Sequence, residues 1–304
     1  MPSPRRVVRN ARLVLQSVAQ HLVDDPALLA VQVSRRLPFR ARVSAGRALR
    51  SVAAAVPGGH GAAALGAYMS GDTAAAHELL DRTAGSRSRM RGEVAVLLER
   101  YDHISPDSAP TTRARAAWTR GDLSGAVEIL ARAGLSDSRY ARRLQSELQL
   151  LTTGYTVPPP ALPEVASESR TDGGTLRVLH VLTNSLPHTQ SGYSLRSHRI
   201  LTALRAQGIE SVALTRTGYP VMIGKLLAAD EDVVDGIRYV RSLPAKLPQT
   251  QEERLLAEVD RALALVKEFR PHILHATTNY QNALVAQAVS AATGVPWEIG
   301  RAHV

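Results

Sequence analysis

Two hydrophobic periods divide the chain. From residue 1 to about 152, apolar positions recur at helical spacing, carried by Ala and Leu with Arg between them, and alternating β-branched runs are almost absent. This half is expected to be all helix. From Arg177 the period changes. "RVLHVLT" is a short apolar run; residues 191–207 read as a helix that ends at Gly208, and "ESVALTR" is a second strand. "GIRYVRS" is a third strand, residues 251–269 an amphipathic helix, and "HILHAT" a fourth strand; residues 280–293 form a helix stopped by Gly294, and "VPW" opens another strand. Strands alternating with helices predict an α/β domain, a Rossmann-like parallel sheet covered on both faces, following an all-α region.

Between the halves, residues 153–175 hold three consecutive prolines and then Ser, Glu, Asp and Gly. The prolines extend the chain and the polar residues cannot build a core, so this stretch reads as an interdomain linker. Inside the helical half two segments resemble each other at an offset of fifty residues. Tyr68, Gly71, Asp72, Ala76, Leu80 and Arg82 fall in register with Trp118, Gly121, Asp122, Ala126, Leu130 and Arg132. In each, Gly accepts the turn, Asp caps the next helix, and a small Ala lets two helices approach. The pattern is loosely similar to tetratricopeptide-type hairpins, and generic antiparallel helix pairs explain it equally. Either way it offers a packing surface and no chemistry.

Charge adds one feature. The net charge of +10 is concentrated in residues 1–50, where Arg5, Arg6, Arg9, Arg12, Arg35, Arg36, Arg40, Arg42, Arg47 and Arg50 face only Asp24 and Asp25. Such a start can dock on anionic lipid head groups, or it can be a solvated helix face in a chain that uses Arg in place of Lys. Nucleic acid is disfavoured, because Phe39 is the sole aromatic nearby to stack bases. With no cysteine there are no disulfides, thiolate metal sites or cysteine nucleophile. No run of about 18 apolar residues predicts a spanning helix, and the first 25 residues do not read as a cleaved signal. The cytoplasm is the default expectation.

In a parallel sheet, ligands sit beyond the carboxyl ends of the strands. That directs attention to "NSLPHTQSGYS" after the first strand and "ATTNYQ" after the fourth. The first loop holds one glycine, Gly192, at a helix entry, where unpaired N–H groups can meet a phosphate or a sugar. It lacks the G-x-G-x-x-G fingerprint and the Gly-Lys-Ser/Thr cradle, which disfavours hydride transfer and P-loop ATP hydrolysis. Ser185, Ser191 and Ser194 are not in G-x-S-x-G, and His188 and His198 lack further ligands at useful spacing, so neither a hydrolase nor a metal site is expected. His180, mid-strand, reads as core.

The order of residues from 176 to 297 resembles the N-terminal, acceptor-side domain of family-four retaining glycosyltransferases of the GT-B fold. Gly192 matches that family's loop glycine, Asp235-Gly236-Ile237 its hairpin, His275 the first His of its strand end, and Gly294-Val295-Pro296 its last turn. The chain departs from the pattern at Ser191, where a second Gly is usual, at His272 in place of an Asp, and at Thr277 in place of the second His.

The resemblance implies transfer of a sugar from a nucleotide-sugar co-substrate to a polysaccharide or lipid-linked acceptor, with retention and without a metal or other cofactor. Substrate contacts are expected from Ser191, Gly192 and Tyr193, from His275, and from Asn184, Asn279 and Tyr280 on the same rim. Structural capping is the competing explanation for Ser191, Gly192 and Tyr193, a satisfied half-buried residue for His275, and ordinary loop polarity for Asn184, Asn279 and Tyr280. The E-x7-E donor motif is absent, and the catalytic residues are therefore unassigned. Residues 299–304, back-translated as ATC GGA AGA GCA CAC GTC, match a common sequencing-library adapter. The α/β domain is accordingly expected to run over residues 176–298, to be truncated, to carry a non-native tail, and to be inactive as it stands. The competing function is a non-catalytic helical-repeat interaction protein with a ligand-binding Rossmann-like domain; the sugar, acceptor and linkage are not readable.

Overall fold

A computed structural model describes residues 3–82, 88–158 and 174–300. The helices of the first half are α1 (Pro4–Asp24), α2 (Pro26–Ser34), α3 (Phe39–Ala54), α4 (His60–Ser70), α5 (Thr73–Asp81), α6 (Arg89–Leu97), α7 (Pro110–Thr119), α8 (Leu123–Arg132) and α9 (Arg139–Leu150). The second half runs β1 (Arg177–Leu182), α10 (Gly192–Ala206), β2 (Glu210–Thr215), β3 (Glu231–Val234), β4 (Ile237–Arg241), α11 (Gln251–Phe269), β5 (Ile273–Thr277), α12 (Tyr280–Thr293) and β6 (Trp297–Gly300). Most of the linker lies outside the described residues, as do Arg301 to Val304 of the suspected tail; Ile299 and Gly300 close β6.

Contacts divide the chain into two compact units, one of Val18–Leu148 and one that joins Met1–Ser17 to Gln149–Val304. Within the helical unit the two similar segments adopt the same local geometry. Gly71 and Gly121 take φ of 88° and 86°, a left-handed turn that only glycine enters without strain. Asp72 and Asp122 then accept from the N–H of Ala75 and Gly125, capping α5 and α8. Ala76 and Leu80, and Ala126 and Leu130, are fully buried in each pair.

The α/β unit is a six-stranded sheet of order β3-β4-β2-β1-β5-β6, parallel except for the edge strand β3. Alternating residues send Leu179, Val181, Val212, Leu214, Leu274 and Ala276 into one core with α11 and α12. Leu182, Ala213, Ile237 and Tyr239 pack with Leu201 of α10. Chain order reverses between β1, whose next strand lies on one side, and β5 on its other side. Their carboxyl ends therefore form the switch point at which an open sheet of this class presents a crevice.

The beginning of α1 belongs with this sheet, although its helical period resembles the residues after it. Asn10, fully buried, donates from Nδ2 to the carbonyls of Leu226 and Ala228 at 2.8 and 3.0 Å. Leu13 joins Val221, Ala228 and Leu247 in a small core, Gln16 Oε1 accepts from Leu247 N, and Arg9 pairs with Asp230. Asn10→Ala removes the donor for two carbonyls and is expected to cost about 1–3 kcal/mol. Hydrogen exchange should then quicken over residues 4–17 before it does so in β1 and β5; unchanged exchange there would refute the anchoring role.

Candidate functional site

Two clasps tie the strand ends together at the switch point. The Tyr193 hydroxyl accepts from Thr183 N at 3.0 Å and donates to the Thr277 carbonyl at 3.2 Å, bridging β1 and β5. Asn282, buried in the first turn of α12, donates to the carbonyls of Thr277 and Thr278 and to Thr183 Oγ1. Burial pushes the Tyr193 phenol above its ordinary pKa, the Thr183 contact opposing it, so the hydroxyl keeps its proton. The sequence directed attention to Tyr193 as a substrate contact; its hydroxyl is engaged in this bridge. Asn282 went unnoticed, because an Asn in the first turn of a helix carries no signal beyond compatibility with a cap.

Around the clasps lie polar groups the fold leaves unused. Asn184 Oδ1 and Thr278 Oγ1 are buried without partners, an uncommon condition for a native polar atom. Thr278 and Asn279 have φ of 41° and 97°, positions that side-chain-bearing residues seldom occupy. Asn279 caps α12 by accepting from Gln281 N, and Tyr280 is exposed beside it. Backbone strain of this kind concentrates at ligand clamps.

Ser191 caps α10 in a reciprocal box with Ser194, each side chain meeting the other's N–H. Gly192 is the first helical residue and is exposed, and a Cβ built on it would meet nothing within 4 Å. The fold therefore has no steric need for a glycine there.

His275 is placed differently from the loop residues. It lies within β5, half-buried, with Nδ1 at 3.2 Å from Nδ1 of His180 and at 3.2 Å from Thr277 Oγ1. Burial lowers its pKa, Glu298 opposing, and burial with the neighbouring His275 lowers that of His180 to about 3. Both rings are thus neutral at physiological pH, and one Nδ1–H donates to the other. Gly300 of β6 runs so close that a Cβ would stand 2.5 Å from His275 Nε2.

A buried arginine holds the β1 loop in position. Arg241, at the end of β4 and 1% exposed, donates to Ser185 Oγ at 2.6 Å, to the Leu186 carbonyl at 2.9 Å and to Asp232 at 2.8 Å. Its guanidinium lies over the rings of Tyr219 and Tyr239. The Tyr219 hydroxyl in turn donates to the Ser185 carbonyl and accepts from Ser185 N. His188 Nε2 stands 3.1 Å from Asp232, and His198 meets Tyr239 and Asp235, so both histidines serve loop and hairpin contacts. Among the described residues no group of three or more His, Cys, Asp or Glu could hold a metal ion.

Arg241→Met is expected to lower stability by about 3–5 kcal/mol, because Asp232, the Leu186 carbonyl and the Ser185 hydroxyl lose a buried cationic partner. Burial raises the pKa of Asp232, but the hydrogen bonds from His188 and Arg241 outweigh it and hold the carboxyl below its ordinary value. Its contribution is therefore present above the ordinary carboxylate range and lost as pH falls through the depressed value. Urea denaturation between pH 3 and 6 should show a shallower acid loss in the variant; identical slopes would contradict this assignment.

Comparison with known proteins bears on the same residues. No curated protein and no solved structure matches the chain. The family model described as a glycosyl transferase 4-like domain matches residues 191–303, a span that opens at the cap of α10 and includes α10 through β6. That match, together with the mostly parallel sheet, supports a glycosyltransferase domain in the α/β unit.

Proposed function

We propose that the α/β unit is the acceptor side of a sugar-transferring enzyme and that its acceptor lies in the crevice between the β1 and β5 ends. The observation that carries this reading is the switch point itself, where Asn184 follows β1 and Thr278 and Asn279 follow β5, together with a matched span that includes α10 through β6. Asn184 Oδ1 and Thr278 Oγ1 offer unused acceptors, and the Thr278 hydroxyl also offers a donor, to sugar hydroxyls. Exposed Tyr280 offers an apolar face to a sugar ring. The Gly192 backbone lets that ring approach the opening turn of α10.

In this reading the chain's residues bind and orient the acceptor and exclude water from one face of it, which is the entropic part of transfer. The nucleotide-sugar and its departing diphosphate require a second set of cationic or helix-end groups, supplied by a separate Rossmann-like unit. A hexosyl donor, a polysaccharide or lipid-linked acceptor and retention of configuration are the finer elements of the proposal.

Gly192→Val discriminates a ligand contact from a helix cap. Open space around the position predicts a stability change within about 1 kcal/mol. Saturation-transfer NMR against a panel of mono- and oligosaccharides should show at least one binder whose affinity falls tenfold or more in the variant. An unchanged affinity, or a panel with no binder, would remove the crevice as the acceptor site.

Membrane placement belongs to the same proposal. Arg5, Val8, Arg12 and Leu15 are exposed along the start of α1, alternating cationic and apolar groups on one stripe, while Asn10 and Leu13 anchor its other side. Among the described residues no helix is long and apolar enough to cross a membrane. Such a stripe suits the surface of an anionic bilayer. Vesicles containing 30% anionic lipid are expected to carry the protein upward in flotation, and Arg5→Glu with Arg12→Glu to abolish this. Equal flotation of wild type and variant, or none with either, would sink the idea.

A further inference from the structure

The helical unit carries a cavity of its own. About 460 Å³ in volume, it lies where α2, α6 and α7 meet, with Leu28, Val96, Leu97 and Trp118 as its apolar wall.

Its charge runs against that of the chain. Three carboxylates, Asp25, Glu93 and Glu99, border it against a single guanidinium, Arg115, in a protein whose net charge is +10. Arg115 is already committed. Its Nε stands 2.9 Å from Glu93, its Nη1 3.3 Å from Asp25, and its Nη2 donates to the Asp24 carbonyl. His21 Nδ1 lies 2.9 Å from the other oxygen of Asp25. Glu99 is the carboxylate that remains: it is exposed, and its side chain forms no hydrogen bond or ion pair with any described residue.

Two helix ends add to the field. Leu97 and Thr119, the last residues of α6 and α7, both border the cavity, so the partial negative charge of two helix C-termini falls on it. Aromatic rings at the same border suit a cation as well. Trp118 is 38% exposed, its indole held by a hydrogen bond from Nε1 to Glu147 at 2.8 Å. The Arg120 guanidinium lies over the Tyr101 ring at 5.7 Å, an example of a cation on this border.

Packing gives no account of Glu99. It takes φ of 57° in the turn that closes α6, whereas Gly71 and Gly121 serve the turns after α4 and α7 at 88° and 86°. Glycine enters that conformation without strain and glutamate does not. Within the fold, an exposed and unpaired carboxylate does not offset the strain.

We propose that this cavity docks a lysine or arginine side chain of a partner polypeptide. The stem lies along Leu28, Val96, Leu97 and Trp118, and the cation meets Glu99 beside the two helix ends. Glu99, Trp118, Thr119 and Gly121 are exposed, so the cavity opens at the surface and the chain that carries the side chain stays outside. A lysine or arginine places one cation at the end of an apolar stem, which fits one open carboxylate beside an apolar wall. A polyamine carries several cations along its length, and that wall would strip water from them. The cavity belongs wholly to the helical unit, so its occupancy is independent of the acceptor crevice.

Calorimetry and tryptophan fluorescence of the full chain test this, with Trp297→Phe leaving Trp118 as the reporting indole. The probe is the peptide Ala-Leu-Lys-Leu-Ala, acetylated and amidated at its ends, and the control carries glutamine in place of lysine. Trp118 emission should shift and saturate with the lysine peptide, and the glutamine peptide should bind at least tenfold more weakly. Glu99→Gln, at an exposed position, should weaken lysine-peptide binding tenfold or more. Glu99→Gly should weaken it as much without lowering the thermal midpoint, because it removes the carboxylate and the left-handed strain together. That combination separates recognition from folding.

Neither heat nor emission change with the lysine peptide, equal binding of the two peptides, or unchanged affinity in Glu99→Gln would overturn the docking site. Spermidine that displaces the peptide at equal concentration would overturn the polypeptide occupant and assign the cavity to free amines. The response of saccharide binding to Gly192→Val bears on the transferase reading alone, so either can fail without the other.

Discussion

A guanidinium removed from water at the end of β4 organises the carboxyl edge of the α/β unit. Arg241 can occupy that position because each face and edge of its fork is answered: two tyrosine rings, Asp232, a serine hydroxyl and a loop carbonyl. Removing a charge from solvent is costly unless hydrogen bonds and an opposite charge replace the water. Once replaced, those bonds dictate where Ser185 and Leu186 lie, and with them the path of the loop that leads to Ser191 and α10. The edge strand β3 contributes through Asp232, so the antiparallel hairpin at the side of the sheet takes part in shaping its functional edge.

Given that loop, the switch point divides its polar groups into two sets. Tyr193 and Asn282 spend their hydrogen bonds on the strand ends and hold Thr183 beside Thr277 and Thr278. Asn184 and Thr278 keep buried atoms without partners, and Thr278 and Asn279 keep an unfavourable backbone. A fold selected for stability alone would relax both features. Their position after β1 and β5, within the α/β unit that carries the glycosyl transferase 4-like match, is what the proposed acceptor crevice rests on. Glu258, beside an adjoining cavity, is a further buried group with one unpartnered oxygen.

Much of this was legible before any coordinates. The bounds of α11 and α12, the Gly-Asp turns at residues 71–72 and 121–122 and the start of α10 at Ser191 rest on interactions within a few residues, which the chain spells out locally. The rim residues Asn184, Gly192, Asn279 and Tyr280 followed from the strand–loop–helix grammar. Arg241 did not, because an arginine ending a strand reads as solvent-facing. Glu258 reads as one more charge on an amphipathic helix, and Asn10 as one more polar residue among arginines. Each acquires its role from partners 9 to 218 residues away.

The sequence alone thus determined the helical first half, the alternating second half, the strand-end loops as the place for a ligand, and the resemblance that named a chemistry. Tertiary structure decided that the start of α1 packs with the sheet, that Tyr193 and His275 face protein partners, and that a buried carboxyl with one unpartnered oxygen borders a cavity. The division follows from the physics. Backbone hydrogen bonds and caps are set by neighbours in the chain, whereas burial, orphaned atoms and shifted ionisation exist only after distant segments have excluded water from one another.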